Sequence, residues 1–170
     1  RFWFDRGVAG VRVDSAALLV KDPELPELEK TNGSHPFMDR DELHDIYRRW
    51  RTIADAYDEA RVLVGEVWLP DAERLARYIR PDELHTAFNF DFLTCPWDRD
   101  RLRNSIESAL ALHAPVDAPT TWVLSNHDVT RPATRYGRED SGFAFDRKRF
   151  GTPSDVELGT RRARAACLLT

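Results

Sequence analysis

The sequence is short of cysteine, methionine and lysine, and each shortage removes a class of explanation. Cysteine occurs only at 95 and 167, too few and too far apart to form a metal-ligand set. The pair reads either as a structural disulfide or as free thiols, and free thiols suit the cytoplasmic location expected here. Lysine occurs only as Lys21, Lys30 and Lys148, and the net charge is −4 with a pI near 5.8. No basic surface is therefore expected for nucleic acid, and the short basic clusters at 146–150 and 160–166 read as solvated surface beside acids. No apolar run approaches the roughly 20 residues of a membrane span, so no membrane partner is expected. The histidines His35, His44, His85, His113 and His127 form no HExxH or other metal pair, and His113 reads as a helix-end residue. No glycine-rich phosphate loop follows a strand, which weighs against a doubly wound nucleotide-binding sheet. GxSxG is lacking, so neither Ser15 nor Ser125 sits in a nucleophile elbow. No signal peptide is visible, and both ends look cut: the chain opens without Met and closes inside a helical pattern, as an internal segment of a longer protein would. The formal sequon at Asn32 lies among turn formers and reads as a turn.

What is present describes a globular α/β chain. Apolar residues make up 42% and charged residues 32% of 170 positions, enough for a real core. Residues 7–14, rich in valine, read as a buried strand, and 15–20 as a helical turn. Residues 21–41 are dominated by proline, glycine, asparagine and charge and read as a long loop, of a kind that usually carries function. Leu43, Ile46, Tyr47, Trp50, Ile53, Ala54 and Tyr57 then recur at offsets of three and four, predicting an amphipathic helix from Asp41, its N-cap, to about Ala60. A second strand at 60–67 precedes a helix at 70–80 that Pro81 ends. Residues 85–93 alternate and predict a third strand, with Phe88, Phe90 and Phe92 on one core face. A helix at 97–113 carries Leu102, Ile106, Ala109, Leu110 and His113 on one side. A fourth strand spans 120–128, 129–155 is irregular, and a last helix starts at Ser154. Alternation of this kind predicts parallel strands with right-handed crossovers. A (β/α)8 barrel spends about 31 residues per unit, so 170 residues fit half of one, with the surplus in two long loops.

Polar chemistry sits at the strand ends. The first strand ends on Arg12 and Asp14, the second on Glu66, and the fourth on Asn126, His127 and Asp128. In a parallel barrel those ends meet at one face, where active sites are built. Each acid alone has a plainer reading as a turn former or helix cap; their joint placement favours catalysis. Arg12 and Asp14, two apart, share a face, so the guanidinium can hold Asp14 ionised. Two carboxylates point to retaining glycoside hydrolysis, with one ionised nucleophile and one acid that carries a proton. Asp14 beside Arg12 suits the first role, and Glu66 between Val64, Val67 and Trp68 suits the second. Trp68 reads either as a platform for a sugar or as packing.

With these residues in place the sequence closely resembles glycoside hydrolase family 13, the α-amylase family. "GVRVD" resembles its second conserved region, "GEVW" its third and "SNHD" its fourth, in the family's order and at barrel-like spacing. "VKDPELP", "DELHDIYRRWR", "PDELHTAFNFDFL" and "NHDVTRPATRYG" resemble the bacterial α-glucosidase branch, the oligo-1,6-glucosidase and maltase relatives. The resemblance implies Asp14 as nucleophile, Glu66 as general acid/base and Asp128 as a third acid that binds sugar hydroxyls. It implies Arg12 as the group that orients the nucleophile, His127 as a hydroxyl contact and Arg131 as a substrate contact, although Arg131 alone reads equally as a surface ion pair. It implies the fold as well: about strands 4 to 7 of a (β/α)8 TIM barrel with their helices. Residues 1–170 are then part of a catalytic barrel domain lacking the N-terminal half-barrel, the lid domain and the C-terminal β-domain. Ser15, a small residue after the nucleophile, leans toward α-1,4 bonds.

The activity this implies is a retaining α-glucosidase acting on maltose and short α-glucoside oligosaccharides. The alternatives are trehalose synthase or another glucosyl transferase or isomerase, and a non-catalytic relative that binds or scaffolds. No cofactor is expected, and any calcium or magnesium ligands of the family fall largely outside this stretch. A half barrel has open strand edges, so this segment expressed alone is expected to aggregate or stay molten and to lack hydrolase activity. A soluble monomer with cooperative unfolding and measurable turnover would refute that.

Overall fold

The computed structural model describes residues 1–28, 35–143 and 151–170. The Asn32 sequon and the basic cluster at 146–150 lie outside the described residues. The chain divides into two compact units, Arg1–Phe88 with Leu112–Thr120, and Asn89–Ala111 with Thr121–Thr170.

In the first unit, β1 (Gly10–Val13), β2 (Val62–Gly65) and β3 (Thr86–Asn89) run parallel in that order. β1 and β2 are in register from Gly10 opposite Val62 to Val13 opposite Gly65. Their spacing depends on Gly10: a Cβ there would meet the Val62 carbonyl oxygen at 2.6 Å. Backbone cannot rotate out of the way, so Gly10→Ala in the whole protein is expected to cost about 1–3 kcal/mol of stability. A lowered denaturant midpoint at unchanged slope is the check; an unchanged midpoint would show that the strands can separate freely.

Helix α1 (Leu43–Ala54) packs Leu43, Tyr47 and Ala54 into the core with Val13, Ala16, Leu63, Val67 and Leu84. The amphipathic pattern is as predicted, but the ends differ. Glu42 precedes the helix without capping it, and Asp41 instead accepts from Arg74 at 2.8 Å. The helix stops at Ala54; Tyr57 packs on Phe4 and donates to Asp5. The Tyr47 hydroxyl donates to the Ala16 carbonyl, which ties α1 to the turn that follows β1.

The long loop after β1 is anchored at Asp22 and again at 36–41. Asp22 N–H donates to the Pro36 carbonyl at 2.6 Å, Arg40 pairs with Asp22 at 3.0 Å, and Asp39 receives Arg74 at 2.7 Å and the Tyr78 hydroxyl at 2.7 Å. Helix α2 (Ala72–Tyr78) carries that arginine and is capped by Asp71, which accepts from Glu73 N at 2.9 Å and Arg74 N at 3.1 Å. It ends before Pro81, as expected.

The third strand is shorter than the alternation predicts. It stops at Asn89, whose side chain accepts from Phe92 N at 3.0 Å and opens a short helix, α3 (Phe90–Thr94). Phe88, Phe90 and Phe92 therefore do not share one strand face, although Phe90 and Phe92 are buried. An N-capping bond satisfies donors that a continued strand would leave to a neighbour, and here the cap wins.

Helix α4 (Arg99–His113), of the second unit up to Ala111, follows Asp98, which accepts from Asp100 N and Arg101 N. Leu102 and Ile106 pack with Phe92, Cys95, Trp97, Trp122 and Leu124, whereas Leu110 is 55% exposed and off the buried face. His113 is buried at the helix end, and burial lowers its pKa. Strand β4 is only Thr121–Trp122. A short helix, α5 (Pro132–Arg135), interrupts the stretch expected to be irregular, and the last helix, α6 (Val156–Ala166), starts two residues after Ser154 because Asp155 caps it, accepting from Leu158 N at 2.9 Å. Cys95 and Cys167 are free thiols. Among the described residues no helix is long and apolar enough to cross a membrane.

Candidate active site

The register of β1 on β2 places the two expected carboxylates together. Val13 faces Gly65, so the next residues, Asp14 and Glu66, leave adjacent parallel strands on the same rung. The ladder continues past the strands: Glu66 N–H donates to Val13 O at 2.9 Å, and Ala16 N–H donates to Glu66 O at 2.9 Å. Gly65 lets side chains close in where the strand turns into the site. A Cβ there would lie 2.6 Å from Leu84 and 3.2 Å from Val67.

Arg12 bridges both acids. Its Nη1 reaches Asp14 Oδ1 at 2.5 Å and its Nη2 reaches Glu66 Oε2 at 2.8 Å. The sequence foresaw the first contact and missed the second. Two more donors on Glu66 were also missed. Ser15 N–H donates to Oε2 at 3.0 Å, and the Trp68 indole N–H donates to Oε1 at 3.3 Å. Ser15 can aim its N–H there because it holds a left-handed backbone, φ 46°, unusual for a residue with a side chain. Its hydroxyl lies 3.4 Å from Asp14 Oδ2. Nothing in the sequence signals a serine with positive φ. Trp68 was considered as a sugar platform or as packing, not as a donor to the acid.

The two carboxylates differ sharply in environment. The Asp14 side chain is 72% exposed and that of Glu66 only 6%. Arg12, chiefly by its hydrogen bond, holds the Asp14 carboxyl below the usual carboxylate range; the Ser15 hydroxyl adds to this, and desolvation opposes it. The acids in turn raise the pKa of Arg12. The two carboxyl groups thus differ in exposure while sharing one cation.

The other expected residues belong to the second unit. β4 ends at Trp122, so Asn126, His127 and Asp128 lie in a turn beyond it and not at its end. Asn126 Oδ1 accepts from Asp128 N and Val129 N, each at 3.0 Å, which is the Asx turn that was the plainer reading of these residues. His127 Nε2 lies 3.5 Å from Asp128 Oδ1, and both side chains are exposed. Arg131 folds back on the same turn, donating to the Asn126 carbonyl and to Ser125 Oγ at 3.1 Å. The second unit also has a cleft of about 530 Å³ lined by Asp91, Arg101, Asn104, Ser105 and Asp140 among others, and none of the expected catalytic residues borders it. Among the described residues no cluster of three His, Cys, Asp or Glu is placed to hold a metal ion.

The chain is similar to several proteins of known name. The chain is 26% identical to trehalose-6-phosphate hydrolase of Bacillus subtilis over 94% of its own length and 30% of the hydrolase. It is 26% identical to an alpha-glucosidase of Candida albicans over 84% of its length and 28% of the glucosidase. Among solved structures, the alpha-glucosyl transfer enzyme XgtA superposes with a TM-score of 0.65 at 26% identity, over 86% of this chain and 30% of the enzyme. The chain therefore spans under a third of the length of these proteins, as a segment of a (β/α)8 barrel does. The family pattern of the alpha-amylase catalytic domain matches residues 1–150, a stretch that carries Arg12, Asp14, Glu66 and Asp128, and on that match the chain belongs to the alpha-amylase family.

Proposed function

We propose that the chain supplies the catalytic carboxylates of a retaining α-glucosidase that releases terminal α-linked glucose, with α-1,4 bonds preferred, from maltose and short oligosaccharides. The observation that carries this is the Arg12 bridge between an exposed Asp14 and a buried Glu66 on one rung of two parallel strands. Asp14 attacks the anomeric carbon while Glu66 protonates the departing oxygen. Glu66 then takes a proton from the water that releases the sugar. Asp128, His127 and Arg131 keep the sugar-binding roles that the resemblance implies. The relatives named as an alpha-glucosidase and a trehalose-6-phosphate hydrolase support an α-glucoside substrate. No cofactor is part of this reading.

A second reading is glucosyl transfer, which the similarity to an alpha-glucosyl transfer enzyme favours. The same glycosyl-enzyme is then intercepted by a sugar. Maltose given to the whole protein and followed by NMR separates the two. Glucose of retained α configuration supports hydrolysis; trehalose or another glucoside supports transfer.

Arg12 gives a pH test. Its bond lowers the pKa of Asp14 in the folded state, so the stabilisation is complete above the unfolded pKa and is lost as pH falls through the folded one. Arg12→Leu removes the cation, and Asp14 then gains its proton at a higher pH. The acid limb of the kcat/KM profile is expected to move to higher pH; an acid limb that stays in place would separate Arg12 from the ionisation of Asp14.

A further inference from the structure

The three donors on Glu66 are unevenly shared. Oε2 accepts Arg12 at 2.8 Å and the Ser15 N–H at 3.0 Å, whereas Oε1 accepts the Trp68 indole at 3.3 Å. A carboxylate oxygen offers about two acceptor sites. Oε2 is thus filled, and one of its donors is a cation, which makes the stronger bond. Oε1 holds a longer bond to a neutral donor. Val67, 1% exposed, keeps the backbone between the acid and the indole in the core, and the indole N–H is the link between their side chains.

We propose that Trp68 is a positioning residue for proton transfer: its indole N–H fixes the Glu66 side chain so that Oε1 is the oxygen that delivers the proton. The inference rests on the α-glucosidase reading above. In the first half-reaction the proton leaves Oε1 for the glycosidic oxygen. The electron pair of the breaking C1–O bond stays on that oxygen, and an Asp14 oxygen bonds to C1. In the second half, water bonds to C1, the pair of the C1–Asp14 bond returns to Asp14, and the water proton goes to Oε1. The indole takes one of the two sites on Oε1 and leaves the other for the proton, so Trp68 and the departing oxygen do not compete.

The test uses two α-glucosides that differ in how far departure depends on a proton: maltose, with a poor leaving alcohol, and 4-nitrophenyl α-glucoside, whose phenolate departs with little help. Trp68→Phe in the whole protein is expected to lower kcat/KM for maltose about 10–30-fold and that for the nitrophenyl substrate by less than about 3-fold, because the lost term is general-acid catalysis. Equal losses on both substrates would mark packing and overturn the proposal. A raised KM for maltose at unchanged kcat would mark sugar stacking and overturn it too, as would full activity on both. If the Phe variant fails to fold, Trp68→His, which keeps an N–H donor, is compared with Trp68→Leu. A wild-type ratio between the substrates in His and a lowered maltose share in Leu supports the role; equal ratios overturn it. A wild type with no turnover on either glucoside overturns the α-glucosidase reading and this inference with it. An active wild type with an unselective Trp68→Phe overturns this inference alone.

Discussion

Asp14→Ala in the whole protein is expected to lower kcat on α-glucosides by a factor on the order of 10⁴–10⁶, the loss typical of removing a nucleophile. Folding is expected to be nearly unaffected. The Asp14 side chain is 72% exposed, so truncation leaves no cavity, and Arg12 keeps Glu66 as a partner. Glu66→Gln removes the proton donor while keeping its shape, and a loss on the order of 10²–10⁴ is expected for poor leaving groups. The two variants differ in kind. Asp14→Ala fails on every substrate, because no covalent intermediate forms. Glu66→Gln recovers part of the first step when the leaving group needs no proton. Steady-state rates on maltose and 4-nitrophenyl α-glucoside, with a thermal melt of each variant, are the measurements. Near-normal turnover in Asp14→Ala would sink the nucleophile assignment.

Glu83→Ala is expected to cost the most in stability of any substitution argued from this structure. Glu83 is fully buried at the foot of β3 and holds three basic partners: His44 Nδ1 at 2.6 Å, Arg80 Nη2 at 2.8 Å and Arg48 Nη1 at 3.0 Å. Removing one partner of a buried charge cluster costs roughly 3–5 kcal/mol, since the others lose compensation without regaining water. Arg48 and Arg80 are 39% and 41% exposed and can rehydrate, whereas His44 is buried and cannot. The lower end, about 3 kcal/mol, is therefore expected. Glu157→Ala breaks an exposed pair with Arg161 and serves as the control, with a cost of about 0–1 kcal/mol. Denaturant unfolding of the whole protein reads both, and equal midpoints would show that the Glu83 cluster adds nothing over a surface pair.

The first two strands were legible because valine-rich runs stop abruptly on charged residues, and a parallel register then makes neighbours of those residues. That logic expects Arg12, Asp14 and Glu66 side by side, and the structure brings them together. It failed where a side-chain hydrogen bond outweighs periodicity. The alternation through Phe88, Phe90 and Phe92 continues in the letters, but Asn89 caps Phe92 N and turns the chain into a helix. Asp41 has the right type and place for a cap, but Arg74, distant in sequence, claims it. The run at 120–128 has strand composition, yet only Thr121 and Trp122 are strand, because Asn126 folds the rest into an Asx turn. Leu110 fits the helical spacing and still faces solvent. The donors on Glu66 were out of reach for a related reason: a backbone N–H from a left-handed serine and an indole N–H two residues along the chain leave no mark on hydrophobic pattern or charge.

The central claim is that Asp14 forms the bond to the sugar while Glu66 moves the proton. A 5-fluoro-α-glucosyl fluoride, which forms the glycosyl-enzyme and releases it slowly, allows the bond to be located directly by digestion and mass spectrometry of the whole protein. One added fluoroglucosyl mass is expected, as an ester, on the digestion peptide that carries Asp14. The same mass on Glu66, on Asp128 or on any other carboxylate, or turnover of the reagent with no covalent adduct, would contradict it.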